Sequence, residues 1–222
     1  MLMDIVIIDI CGTIFNSNTT FDFLDFHFKE NAGYKCFRRI SKMIIWRLLN
    51  KCSVSLLGID ITRKIAVKSL KGLPKNQLKK FARDFYDSFL SFRIQQEVIN
   101  EICALNTGKN RVIIVSATLD FIAEEVAKRM DIHEYYSTTL KYGLDGKCSG
   151  IIEDDLLGSK LNFLKKQQIN PPYYSVITDN LSDMDLILNS FQSIIITTSK
   201  TRNIWKKKLG KNSIKDYKVL CL

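Results

Sequence analysis

Four short apolar runs rich in β-branched residues punctuate the chain: Asp4-Ile-Val-Ile-Ile-Asp9, Arg111-Val-Ile-Ile-Val-Ser116, Tyr174-Ser-Val-Ile-Thr-Asp179 and Ser193-Ile-Ile-Ile-Thr197. Near-continuous apolar runs of this length are the pattern of strands buried on both faces of a parallel sheet. The first three end on a polar side chain, and in an open α/β sheet the carboxyl ends of the strands border the ligand crevice. Between the runs the period changes to that of helices. Over 120–130, Ile122 and Val126 stand four apart with charges opposite. Over 159–168, Leu161 and Leu164 share a side and Ser159 is placed to cap the first turn, and 182–189 reads as a further short helix. This alternation predicts right-handed βαβ units and an α/β fold with a Rossmann-like, doubly wound parallel sheet.

The stretch 20–104 lacks buried-strand runs and reads as helical. Thr19-x-x-Asp22 suits a helix start, with Phe21, Leu24 and Phe28 along one face. Leu78, Phe81, Ala82, Phe85 and Phe89 recur at helical spacing after Pro74, with lysines and arginines opposite. Such a length between the first and second strands exceeds any ordinary crossover. The expected organisation is therefore a core of residues 1–18 and 105–222 with an inserted α-helical cap subdomain over 19–104. Ile44, Ile45, Trp46, Leu48 and Leu49, interspersed with Arg47 and Lys51, are expected to pack inside that cap rather than to touch a membrane surface.

Composition narrows the partners. Apolar runs fall far short of the ~20 residues of a membrane span, and Met1-Leu2-Met3-Asp4 lacks the basic flank of a signal peptide, so a cytoplasmic protein is expected. Six scattered cysteines (11, 36, 52, 103, 148 and 221) without C-x-x-C spacing predict free thiols rather than a zinc site or a disulfide framework. The formal net charge is +10, with the basic excess in Lys29 to Arg93 and Lys200 to Lys218. No recognised module or aromatic interleaving accompanies it, so no nucleic-acid partner is expected. A solvated lysine-rich surface, or attraction of a negatively charged phosphorylated substrate, accounts for the charge. His27 and His133 have no ligand partner at useful spacing, and nothing in the pattern sets an oligomeric state.

Chemistry concentrates at the strand ends. Asp9-Ile-Cys-Gly-Thr13 follows the first run directly, placing a carboxylate before a glycine turn whose backbone is open to an anion. In order along the chain come D-x-x-G-T, Ser116 closing the second strand, Lys160, and Asp179-Asn-Leu-Ser-Asp183 after the third. These resemble the four ordered motifs of the haloacid dehalogenase (HAD)-like superfamily, over essentially the whole chain. Ser116-Ala117-Thr118, the stretch Tyr142 to Gly150, and Gly158-Ser-Lys160 resemble its phosphoserine-phosphatase-like branch. The helical insert is similar to that branch's cap, and Leu70-Lys-Gly-Leu with the phenylalanine-rich helix is similar to longer-capped members, some acting on phospholipid-like phosphates.

The resemblance implies a phosphatase in which Asp9 attacks phosphorus and forms an aspartyl-phosphate. It implies Mg²⁺ between the Asp9 carboxylate, the Cys11 backbone carbonyl and Asp179, with Asp183 holding a metal-bound water or the Lys160 ammonium. Ser116 and Ala117 would bind the phosphoryl oxygens, and Lys160 would neutralise charge on nucleophile and phosphate. The implied substrate is a small-molecule, lipid or glycan phosphoester. One departure stands out: the superfamily's phosphatases carry a second Asp two residues after the nucleophile, where this chain has Cys11. Asn180 also replaces the small serine usual after the motif's Asp. A thiol of reference pKa ~8.5 can give a proton but is a poor activator of water there. Three readings stay open: a slow or specialised phosphatase, a phosphotransferase, and a silent module binding phosphate and Mg²⁺.

Overall fold

The computed structural model describes residues 4–212, 214 and 216–222; Met1 to Met3, on which the reading of the N-terminus partly rests, and Lys215 of the basic tail lie outside the described residues. Strand β1 (Asp4–Ile8) is followed by six α-helices: α1 (Thr19–Phe28), α2 (Ala32–Ser41), α3 (Ile44–Leu57), α4 (Ile61–Val67), α5 (Lys75–Ser88) and α6 (Gln96–Leu105). Strand and helix then alternate through β2 (Asn110–Leu119), α7 (Asp120–Arg129) and β3 (Glu134–Thr138). A hairpin of β4 (Leu140–Tyr142) and β5 (Cys148–Ile152) leads to α8 (Lys160–Lys166), β6 (Tyr173–Thr178), α9 (Met184–Leu188), β7 (Ser190–Thr197), α10 (Arg202–Lys211) and β8 (Tyr217–Cys221).

The large sheet runs β3-β2-β1-β6-β7-β8, every neighbouring pair parallel. The β-branched runs explain its centre. In β1, Val6 and Ile8 point into one hydrophobic cluster and Ile7 into the other, all essentially unexposed. The pleat sends successive side chains to opposite faces, so a strand covered on both sides must be apolar throughout. One cluster joins the sheet to Phe23, Phe85, Ile102 and Val126 of α1, α5, α6 and α7, and the other joins it to Leu164, Ile187 and Trp205 of α8, α9 and α10. This is the doubly wound, Rossmann-like α/β architecture expected from the strand–helix alternation. After β1 the chain passes to β2 on one side and later returns to β6 on the other. The crevice at the end of β1 is therefore the topological switch point, where such folds bind ligands.

The insert between β1 and β2 is unevenly attached. Helices α1, α4, α5 and α6 contribute Phe23, Leu24, Ala66, Val67, Phe85, Val98 and Ile102 to the same cluster as Ile114 and Phe121 of the core. By contrast α2 buries only Tyr34 and Ser41, and α3 only Ser53. Ile44, Ile45, Leu48 and Leu49 are exposed, which overturns their expected burial within the insert. Two cap assignments also change. Asn18, not Thr19, caps α1, its Oδ1 accepting from Phe21 N at 3.3 Å, and the buried face of that helix is Phe23 and Leu24. Ser159 stands at the start of α8, but its hydroxyl donates to Asp155 O at 2.6 Å and caps no helical N–H. The six cysteines are free. Two stretches singled out in the sequence bond to each other: Gly72 N donates to Cys148 O at 2.8 Å and Cys148 N to Leu73 O at 2.9 Å.

Candidate active site

Asp9 follows the last residue of β1 and is 3% exposed. Its backbone N–H continues the sheet ladder to Ile177 O at 3.0 Å, and its Oδ1 accepts from Ile10 N at 2.7 Å. One carboxylate oxygen is thus aimed by the main chain. Lys160, the first residue of α8, comes up from beneath: its Nζ lies 2.8 Å from Asp9 Oδ2 and 2.7 Å from Asp183 Oδ2. Thr178 Oγ1 donates to the same Asp183 oxygen at 2.7 Å. Burial alone would push the Lys160 pKa down, but the Asp9 and Asp183 carboxylates outweigh it and hold the ammonium above the ordinary lysine value. Burial pushes Asp183 up against the pull of Lys160.

Asp179 follows the last residue of the neighbouring strand β6. Thr13 Oγ1 donates to its Oδ1 at 3.2 Å and accepts from its backbone N–H at 2.9 Å. Burial first, then the nearby Asp9 charge, push Asp179 up to about 7. Gly12 is indispensable here: at φ +72°, a Cβ on it would lie 2.1 Å from Asp179 Oδ2. Asn180 turns its side chain to the backbone, its Oδ1 accepting from Ser182 N at 3.0 Å, and so starts the short 3₁₀ turn over Leu181–Asp183 that places Asp183.

The turn after Asp9 is held by Cys11, whose Sγ donates to Ser17 O at 3.2 Å. Burial, with the Asp9 and Asp179 charges, pushes its thiol up to about 12. Cys11 therefore keeps its proton across the neutral range. Ser116 is fully buried; its Oγ donates to Thr118 Oγ1 at 3.0 Å and accepts from Thr118 N at 3.2 Å. Thr118 Oγ1 is also 2.7 Å from Thr19 Oγ1 on α1. A cavity of about 390 Å³ opens above these groups, its walls including Asp9, Cys11, Ala117, Thr118, Asp179 and Asn180 from the core and Thr20, Phe21, Asp60 and Arg63 from the insert.

The structure thus gathers Asp9, Cys11, Lys160, Asp179 and Asp183 at one crevice, with Ala117 on its wall and Ser116 behind Thr118. Residues that sequence reasoning did not single out complete it: Thr178, which shares Asp183 with Lys160, and Arg63. The Arg63 guanidinium is 5% exposed and donates to the Ala117 carbonyl and to Asp155 Oδ1. The only signal for Thr178 was its place before the strand-end acid. For Arg63 there was none, because its partners lie 54 and 92 positions away.

Asp183 Oδ1 is buried without a hydrogen-bond partner, and Asp9, Asp179 and Asp183 face a single ammonium. Clustered oxygen donors, with the Asp179 carboxylate raised by burial and by the Asp9 charge, fit a hard divalent cation, which would favour its ionised form. Among the described residues no three His, Cys, Asp or Glu side chains form a ready-made cage. A cation here would lean on backbone carbonyl and water as well.

A parallel α/β fold with its carboxylates and lysine at the switch point defines a class. A family model for haloacid dehalogenase-like hydrolases matches residues 6–187, and the chain belongs to that family. No curated protein matches it. Among solved structures, a protein of unknown function from Bordetella pertussis Tohama I superposes with a TM-score of 0.75 at 14% identity, covering 99% of each chain. A phospho-aspartyl intermediate analogue of phosphoserine phosphatase gives 0.58 at 17% identity, covering 99% of this chain and 94% of that one. A phosphoserine phosphohydrolase-like protein from Francisella tularensis subsp. tularensis SCHU S4 gives 0.59 at 15%, covering 97% and 94%. The fold is that of the phosphoserine-phosphatase-like branch.

Proposed function

We propose that the chain is a Mg²⁺-dependent phosphomonoesterase working through an aspartyl-phosphate on Asp9, with the helices over 19–104 as its cap. The observation that carries this is the Lys160 ammonium, fully buried and shared at 2.8 and 2.7 Å between Asp9 and Asp183 under an open cavity. A buried lysine held this way is fixed where negative charge would grow during phosphoryl transfer. The Asp9 carboxylate attacks phosphorus while the bond to the leaving oxygen breaks, and that oxygen takes a proton from solvent. Water then attacks phosphorus in the acyl phosphate and gives up its proton to solvent, the P–O bond to Asp9 breaks, the free carboxylate is restored and inorganic phosphate is released. Asp9, the Cys11 carbonyl and Asp179 would hold the metal, with Asp183 outside them on Lys160. The bound cation would supply charge neutralisation on the phosphoryl oxygens. Ala117 and the Thr118 hydroxyl line the cavity and would receive the phosphoryl oxygens, with Ser116 supporting Thr118 from behind. The substrate is a small phosphoester, with lipid and glycan phosphates within the same class.

The Cys11 proton favours a second reading on the same intermediate. With no carboxylate base at that position, phospho-Asp9 would resist water, and an alcohol acceptor could take the phosphoryl group instead. Both are tested with an aryl phosphate: Mg²⁺-dependent release of the phenol is expected, abolished by Asp9→Asn. Added alcohols that raise phenol release without raising phosphate release would identify a transferase. Tight binding of beryllofluoride with no turnover of any phosphoester would mean a binding module and overturn both.

A further inference from the structure

Helix α3 is mounted with its polar side inward. Trp46 Nε1 donates to Thr62 Oγ1 at 2.8 Å, Asn50 bonds to Asp60 and to Thr62 N, and Ser53 Oγ donates to Ile59 O at 2.8 Å. These residues share one side and fasten the helix to α4. At about 100° per residue, Ile45, Leu48, Leu49 and Leu56 form a stripe alongside that polar side, and they are 69%, 59%, 61% and 82% exposed. Single exposed apolar residues are ordinary, but a continuous stripe of them on a helix implies a contact. Ile44 at 74% and Met43 at 54% extend it toward α2.

Charge says what the contact is. No acidic residue occurs from Asn31 to Ile59, while Lys35, Arg39, Lys42, Arg47 and Lys51 are all exposed and form no ion pair among the described residues. A two-fold pairing of this face with a second copy would set these cations against themselves with no carboxylate to meet them. A bilayer containing anionic phospholipids meets both demands, taking the leucines between its acyl chains and the lysines and arginines at its headgroups. Among the described residues no helix is long and apolar enough to cross a membrane, so the contact is one of lying on the surface. Arg47, Lys51, Ile44 and Leu48 also line a groove of about 530 Å³ that shares Phe21 and Asp60 with the cavity above Asp9.

We infer that the exposed face of α3 docks the protein on an anionic lipid bilayer. The inference does not depend on turnover at Asp9. It is tested by co-sedimenting the full chain with vesicles of phosphatidylcholine alone and with phosphatidylglycerol added. Partitioning at least tenfold stronger onto the anionic vesicles is expected, weakening steeply with salt. Ile45→Glu with Leu49→Glu should cut it at least tenfold without lowering the melting temperature, since both side chains are already in water. Arg47→Glu with Lys51→Glu should cut it and flatten the salt dependence. Asp9→Asn should leave it unchanged, which separates this result from the fate of the hydrolase reading. Absence of anionic-vesicle binding, or binding equal in the Ile45→Glu/Leu49→Glu protein, overturns the inference. So does a concentration-dependent dimer that these glutamates dissolve while vesicle binding is absent, because the face then belongs to a second copy.

Discussion

Cys11 bears directly on the rate expected of the proposed reaction. It lines the cavity, and its Sγ donates to Ser17 O at 3.2 Å. A thiol pushed up to about 12 neither releases a proton readily nor takes one from water at neutral pH. Positioned acid/base catalysis is typically worth ~10²–10⁴-fold. Replacing Cys11 by Asp puts a carboxylate where that proton is needed. Steady-state turnover of an aryl phosphate is expected to rise at least tenfold in Cys11→Asp, with the gain largest in the water-dependent step. An unchanged or lower rate would show that Cys11 does not occupy the acid/base position.

At the scale of elements, the Arg63 guanidinium joins the Thr19–Thr118 hydroxyl pair in tying the insert to the core beside the cavity. Arg63 of α4 donates to the Ala117 carbonyl just before the end of β2 and to Asp155, whose carboxylate also accepts from Leu157 N at 3.1 Å. Asp155 is 30% exposed, which lets water moderate the loss of its partner. Arg63→Met is therefore expected to lower stability by roughly 1–3 kcal/mol, measured by urea unfolding. Arg63→Lys should recover only part of it, since a single ammonium cannot reproduce the two-pronged donor. Such a link is invisible in sequence, where neither the periodicity of Ile61–Val67 nor the identity of Arg63 points to Ala117. The central strands were legible because burial on both faces leaves a run of β-branched residues. Strands β3, β8 and the β4–β5 hairpin were not, because Glu134-Tyr-Tyr-Ser-Thr138 and Tyr217-Lys-Val-Leu-Cys221 are half-exposed edges with mixed residues. The same limit explains α3: an apolar stripe reads identically whether it faces a core or the solvent. Asp9 and Asp179 were legible because each directly follows a buried-strand run, and Lys160 and Asp183 through the order of the motifs, whereas Thr178 and Arg63 act through partners that only the fold supplies.

For the whole molecule the site is an electrostatic load. Asp179, raised by burial and Asp9 to about 7, would be ordinary in the unfolded chain. Below about pH 4 it is protonated in both states and costs nothing. As pH rises toward 7 the unfolded carboxylate ionises first, so the folded state loses stability, and the full loss persists above 7. A shift of this size corresponds to about 4 kcal/mol, on the order of 10–15 °C in melting temperature for a chain of this length. The overall charge of +10 works the other way, since acidification adds further positive charge and self-repulsion. Asp179→Asn removes the first effect and barely touches the second, so the difference between the two proteins isolates it. Without metal, Asp179→Asn is expected to melt higher than the wild type at pH 8 and to converge with it near pH 4. Mg²⁺ should raise the wild-type melting temperature more at pH 8 than at pH 5, because only the ionised carboxylate can bind it, and should leave Asp179→Asn nearly unmoved. Equal Mg²⁺ stabilisation of both proteins would place the cation elsewhere. Convergence at pH 8 instead of pH 4 would mean that Asp179 is not strained in the fold.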